Sequence, residues 1–317
     1  MSASQILDTI ESNAEANIQI DEQEVAEVVS SIQEAQYFDA SSMAPLTPVS
    51  RAAIARLRAF TPPSFTVWDR LPLSRRAAVL ILLFADRRGD LRVVITMRAM
   101  TLRNFSGHAA FPGGKSDTLE ETPWQTARRE AQEEIGLPLD SSTLPAPFRI
   151  EHLCELPFSL AMTALAVRPC VAFLHSNDES GNNAAAVEDN MIPRLDAKEV
   201  AAVFSAPFHN FLGPEDEVPA GAQIAGKKSD WYEGKWINWH EGPWRMHSFF
   251  VPIHNQKVCK PKIREGGQAS IADQLDEEDD GLERYKVWGM TARMLVDAAR
   301  VAYGEDPEFD VSYPLSL

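Results

Sequence analysis

The stretch Gly113-Gly114-Lys115-Ser116-Asp117, followed by Glu120 and then by Arg129-Glu130-Ala131-Gln132-Glu133-Glu134-Ile135-Gly136-Leu137, decides how this chain is read. It predicts a glycine turn leading into a helix with clustered carboxylates. At about 100° per residue, Glu130, Glu133 and Glu134 fall within an arc of roughly 100°. Like charges this close repel one another. A fold keeps such a cluster when a cation offsets it, and oxygen ligands of this kind suit Mg²⁺ or Mn²⁺. The alternative is a solvated acidic helix face, which is what charge runs usually are.

The helix is well bounded in sequence. Thr122 fits an N-cap, Pro123 the first helical position, and Gln125 completes a capping box. Gly136 can end the helix in a left-handed conformation. Trp124, Ala127, Ala131 and Ile135 form an apolar arc next to the acidic one, suited to docking on a sheet. Arg129 lies four residues before Glu133 and can pair with that face or with Glu120 across the loop.

These residues resemble the Nudix box, Gly-x5-Glu-x7-Arg-Glu-U-x-Glu-Glu-x-Gly-U, where U is bulky and apolar. Here eight residues separate Glu120 from Arg129, and Ala131 stands at the first U. The longer spacing is similar to the coenzyme A diphosphatase branch of the Nudix hydrolases. So is the upstream sequence: Val94-Ile95-Thr96-Met97-Arg98, Leu102-Arg103-Asn104-Phe105-Ser106-Gly107 and Phe111-Pro112-Gly113-Gly114. Asn104-Phe105 departs from relatives that often carry a histidine there. The segment Val287-Trp288-Gly289-Met290-Thr291-Ala292-Arg293 resembles that branch's closing helix.

The resemblance implies an α+β Nudix fold, a mixed β-sheet sandwiched between helices, with an N-terminal extension and loop insertions. It implies a metal-dependent enzyme, with Mg²⁺ or Mn²⁺ held by Glu130, Glu133 and Glu134 and by the Gly113 carbonyl. Arg129 would orient Glu130, and Glu120 would sit behind the ligands and fix Arg129. Glu130 or Glu134 would serve as general base, with Glu199 in reserve; an ordinary surface glutamate is an equal reading of Glu199. Arg98, Arg103 and Gly114 would receive the substrate, because guanidinium forks match phosphate oxygens. The implied substrate is coenzyme A or a derivative, cleaved to 3′,5′-ADP and a 4′-phosphopantetheine product. Two other readings stay open: a Nudix hydrolase of another nucleoside diphosphate derivative such as 8-oxo-dGTP, and a Nudix-fold binding module without catalysis.

Composition narrows the class. The 317 residues are 44% hydrophobic with a net charge of −16, which argues against nucleic acid as a partner. No apolar run is long enough to span a bilayer, so no membrane partner is expected. Cys154, Cys170 and Cys259 are widely spaced and give no zinc or disulfide framework; Cys154 and Cys170 read as buried thiols. The seven histidines show no ligand spacing. The expected location is intracellular, cytoplasmic or peroxisomal, and not secreted; Leu315-Ser316-Leu317 is only loosely like a peroxisomal tail. Oligomeric state is not legible.

Along the chain, residues 1–50 read as an acidic N-terminal extension and linker, and 51–74 as a lead-in helix and loop. Residues 75–304 read as the Nudix domain, with insertions near 213–247 and 262–281, and 305–317 as a tail. Strands are expected at 77–84, 91–98, 148–155, 164–174 and 246–253, and a closing helix at 287–303. Residues 199–204 read as a helix or a strand end. Four tryptophans, Trp231, Trp236, Trp239 and Trp244, mark an elaborated hairpin packed on the core or, alternatively, a lid for an adenine.

Overall fold

The apolar run that follows Arg75 becomes the centre of a sheet. A computed structural model describes residues 46–62, 68–98, 108–139, 143–144, 148–161, 165–176, 200–216, 230–239, 242–253, 256, 258 and 284–312. In chain order its main elements are helix α1 (Pro48–Ala59), strands β1 (Arg76–Ala85), β2 (Leu91–Arg98), β3 (Ala109–Ala110) and β4 (Gly113–Lys115), then helix α2 (Pro123–Ile135). Strands β5 (Phe148–Glu155), β6 (Ser159–Leu160), β7 (Ala166–Ser176), β8 (Val200–Pro207), β9 (Tyr232–Trp239), β10 (Gly242–Pro252) and β11 (Arg284–Trp288) follow, and helix α3 (Gly289–Tyr303) closes the order.

Among the described residues eight strands form one mixed sheet with the path β3-β2-β1-β7-β5. β1 and β7 run parallel at its centre, from Arg76↔Ala166 to Phe84↔Leu174. β1 is buried on both faces, as a central strand must be, and its sequence therefore reads as continuous apolar rather than alternating. A fork at one end of the sheet positions the site. β1 and β2 pair at Leu83↔Val93 to Ala85↔Leu91. Beyond that they diverge: β3 pairs with β2 at Thr96↔Ala110, and β4 pairs with β1 at Val79↔Gly113. Residues 109–115 thus fill the fork, and Gly113-Gly114 lies beside the centre of the sheet.

The two faces carry different layers. Ala127, Ala131 and Ile135 of α2 pack on Ala78, Leu80, Leu82, Ala172 and Leu174. Ala131 is fully buried against the sheet. On the other face, Ala53, Ile54 and Leu57 of α1 and Leu295, Ala298 and Ala302 of α3 join Ile81, Leu83, Val171 and Phe173. The sandwich of helix, sheet and helices is the α+β Nudix arrangement expected.

Several boundaries shift. The helix expected in the lead-in segment 51–74 instead starts at Pro48, capped by the Thr47 hydroxyl, which accepts from Ser50 N. Its residues are core, so it is an integral layer rather than a lead-in. Residues 200–207 are a full strand paired along β2. The closing helix starts at Gly289, because Val287 and Trp288 still pair with β10. β9 and β10 form the expected hairpin in a three-stranded sheet with β11. Trp231 is 0% exposed and donates from Nε1 to the Asn210 carbonyl at 2.9 Å, whereas Trp236 is 49% exposed. Trp244 lies under the Arg293 guanidinium at 4.1 Å. The side chain of Trp239, the 262–281 insertion, residues 1–45 and the last five residues lie outside the described residues.

Candidate active site

The acidic helix begins as its sequence dictates. Thr122 Oγ1 accepts from Gln125 N, and Gln125 Oε1 accepts from Thr122 N, forming the capping box. Gly136 closes the helix at φ 68°, a conformation that costs other residues more than glycine. Docking through Ala127, Ala131 and Ile135 leaves Glu130, Glu133 and Glu134 turned along the side of α2 that faces the glycine turn and solvent.

The glycine turn and the helix meet at two carboxylates. Gly113 N donates to Glu134 Oε2 at 3.1 Å. A Cβ on Gly113 would stand 2.5 Å from the Ala78 carbonyl oxygen. A Cβ on Gly114 would fall onto the Glu130 carboxylate itself, so only glycine permits the approach. Burial raises the Glu130 carboxyl above its ordinary value, and the bond from Arg129 only partly opposes this.

Arg129 is the organising cation. Its Nη1 donates to Glu130 Oε1 at 3.0 Å and approaches Glu133 Oε2 at 3.5 Å. Its Nη2 donates to the Lys115 carbonyl at 2.9 Å. Its Nε donates to Glu121 Oε1 at 2.9 Å and lies 3.4 Å from Asp117 Oδ2. Hydrogen bonds to Glu121 raise the already high pKa of this guanidinium further. A single side chain therefore ties loop 115–121 to the helix and orients the Glu130 carboxylate.

Glu120 is a correction. It is exposed, and the partner of Arg129 is Glu121. Burial would raise the Glu121 carboxyl, but hydrogen bonds from Arg129, the Asp117 backbone and Thr126 together hold it below its usual range. Leaving five residues after Gly114 selects Glu120; leaving seven residues before Arg129 selects Glu121. The extra residue thus belongs to the loop before the glutamate, not to the segment after it. The Thr126 and buried Ser116 hydroxyls, hydrogen-bonded at 3.0 Å, are a further loop-to-helix tie that has no signal in the sequence.

The remaining expected residues divide. Arg98 ends β2, where the register against β8 shifts. Its backbone N donates to the His108 carbonyl, and its side-chain Nε is buried with no hydrogen-bond partner among the described residues. Arg103 and Glu199 lie outside the described residues. The oxygen donors of α2 fit a hard divalent cation: Glu130 is drawn onto Gly114, Glu134 is tied to Gly113, and Glu133 is half exposed.

A glycine turn set in a sheet fork, a helix bearing three glutamates and one arginine joining them define a class. Residues 74–217 match the family model described as NUDIX domain. The chain is 34% identical over 256 residues to a Saccharomyces cerevisiae protein named peroxisomal coenzyme A diphosphatase 1, covering 75% of this chain and 72% of that one. It is 35% identical over 243 residues to a Mus musculus protein named peroxisomal coenzyme A diphosphatase, covering 76% of each. It is also 31% identical to the Arabidopsis thaliana protein named Nudix hydrolase 22, chloroplastic, over 74% of this chain but 58% of that one. The chain belongs to the Nudix hydrolases, a family of enzymes that act on phosphoric anhydride bonds with divalent metal ions.

Proposed function

We infer that this chain hydrolyses the diphosphate linkage of coenzyme A or its derivatives, releasing 3′,5′-ADP and a 4′-phosphopantetheine product. The observation that carries the reading is the Arg129-centred carboxylate cluster, present in full, within a chain at least a third identical to two proteins named coenzyme A diphosphatases.

Mg²⁺ or Mn²⁺ held by Glu130, Glu133 and Glu134, with the Gly113 carbonyl as an added ligand, would screen the diphosphate charge and acidify a water. The protein does the rest. Gly113 N–H holds one oxygen of Glu134 and so ties this carboxylate to the glycine turn. Arg129 holds Glu130 in one orientation, and Glu121 and the Lys115 carbonyl hold Arg129. Glu130 or Glu134 takes the proton from the attacking water. The buried, partnerless Nε of Arg98 supports its assignment to a substrate phosphate. Arg103 is assigned to the 3′-phosphate and Gly114 to the phosphate cradle. Location in peroxisomes is proposed by analogy with the two named relatives.

The test is incubation of purified protein with coenzyme A and either Mg²⁺ or Mn²⁺, with products identified by mass. Release of 3′,5′-ADP is expected, in preference to turnover of 8-oxo-dGTP at equal concentration. Binding of coenzyme A without turnover under either metal would replace this reading with that of a binding module.

A further inference from the structure

We propose that His152, Glu155 and Cys170 form a second metal site, on the β5–β7 pair beside the first turn of α2, that binds Zn²⁺. Among the described residues these three are the set whose potential ligand atoms all lie within 4.8 Å of one another.

The site is made by an irregularity in β5. In a regular strand successive side chains alternate, so His152 and Glu155, three apart, would face opposite sides of the sheet. The register of β5 against β7 shifts between His152 and Cys154. The two bulge residues, Leu153 and Cys154, both turn to the α1/α3 face. His152, opposite Ala172, and Glu155, opposite Cys170, consequently share the α2 face, where Ala172 and Cys170 are buried. Bulges of this kind re-aim side chains and recur next to functional sites.

The three groups form a graded entrance. Cys170 is fully buried, Glu155 half-buried and His152 exposed. The His152 ring stacks on Trp124 at 4.2 Å with an interplanar angle of 13°, and also hydrogen-bonds to the Cys154 backbone. Arg168 Nε donates to Glu155 Oε2 at 3.0 Å, leaving Oε1 for a ligand. Such outer partners commonly hold metal-binding imidazoles and carboxylates in place. In a tetrahedral zinc site with bonds of about 2.0–2.3 Å, ligand atoms stand about 3.5 Å apart. The observed set, within 4.8 Å, would draw together by about 1 Å to close on the ion. Thiolate and imidazole select Zn²⁺ over the hard cations that suit the α2 glutamates. The exposed side at His152 leaves the fourth position to water.

The test uses the full-length protein, stripped with chelator and titrated with Zn²⁺ in excess Mg²⁺, with bound zinc counted by elemental analysis. Co²⁺ serves as the spectroscopic probe. One Zn²⁺ per chain is expected, and the Co²⁺ form should show a thiolate charge-transfer absorption. Affinity should fall at least about tenfold in His152→Ala, whose exposed position does not threaten folding, and in Glu155→Gln. The thiolate absorption should vanish in Cys170→Ser and persist in Cys154→Ser and Glu134→Gln. A Co²⁺ form without thiolate absorption would overturn the proposal. So would zinc retention that ignores His152→Ala, or that is lost in Glu134→Gln alone. None of these readouts involves coenzyme A turnover, so they stand apart from the outcome of the diphosphatase test.

Discussion

The two faces of the central sheet divide the protein's work. The α2 face keeps charge close together: Glu121, Glu130 and Glu133 gather around one arginine, and Glu134 is held by the glycine turn. The α1/α3 face is apolar and aromatic. Phe211, Trp231 and Phe249 interlock with ring centroids 4.8–5.6 Å apart, and Phe309 stacks on Tyr232 at 4.1 Å. Repulsion on the first face is offset locally by Arg129, whereas the second face holds the sheet by packing. Substitutions on the first should cost chemistry, and those on the second should cost stability.

The strongest way to break this division is Glu134→Gln. Turnover should drop about 10³-fold, or about 4 kcal/mol of transition-state stabilisation, while the melting temperature holds. Trp231→Ala should do the reverse: a loss of about 3–5 kcal/mol in denaturant unfolding, with turnover per folded molecule unchanged. A melting temperature that collapsed in the first variant, or turnover lost in folded protein of the second, would erase the distinction.

A smaller effect belongs to pH. His247 is buried, and burial, aided by Arg245 and Arg293, lowers its pKa from 6.5 to about 4. Its Nδ1 lies 3.0 Å from the Tyr232 hydroxyl. Between those values the unfolded chain takes up a proton that the folded one refuses, so stability rises with pH across this window and falls as pH drops from 6.5 toward 4. The contribution is at most about 3 kcal/mol. Unfolding curves at pH 7 and pH 5 should therefore converge more closely in His247→Gln than in the native protein. The finest test compares neighbours. Glu121→Gln should weaken metal-dependent activity about 10–100-fold, and Glu120→Gln should leave it unchanged; equal effects would return Glu120 to its expected role.

The α2 face was legible because its parts are local. Capping box, glycine stop, acidic arc and apolar arc all lie between Thr122 and Gly136, where helical periodicity converts spacing into direction. The error at Glu120 arose where that conversion fails, in a loop whose length does not fix which of two adjacent glutamates turns inward. The other face was legible only as a roster of strands and one helix. Its core joins Leu57, Phe211, Trp231, Val287 and Tyr303, which only tertiary folding brings together. The His152–Cys170 cluster was hidden for a further reason: a bulge changes the phase of a strand without leaving a mark in its composition. Arg98 is a candidate through resemblance alone; the burial of its Nε is a property of the fold.

The parallel pairing of β1 with β7 has a kinetic consequence. Arg76 meets Ala166, and β2, β3, β4, α2 and β5 all lie on the loop between them. Closing so long a loop is slow compared with forming a helix. Helical signal on refolding should consequently precede hydrolytic competence, which waits for β7 to lock beside β1 and for the fork to receive Gly113 and Gly114.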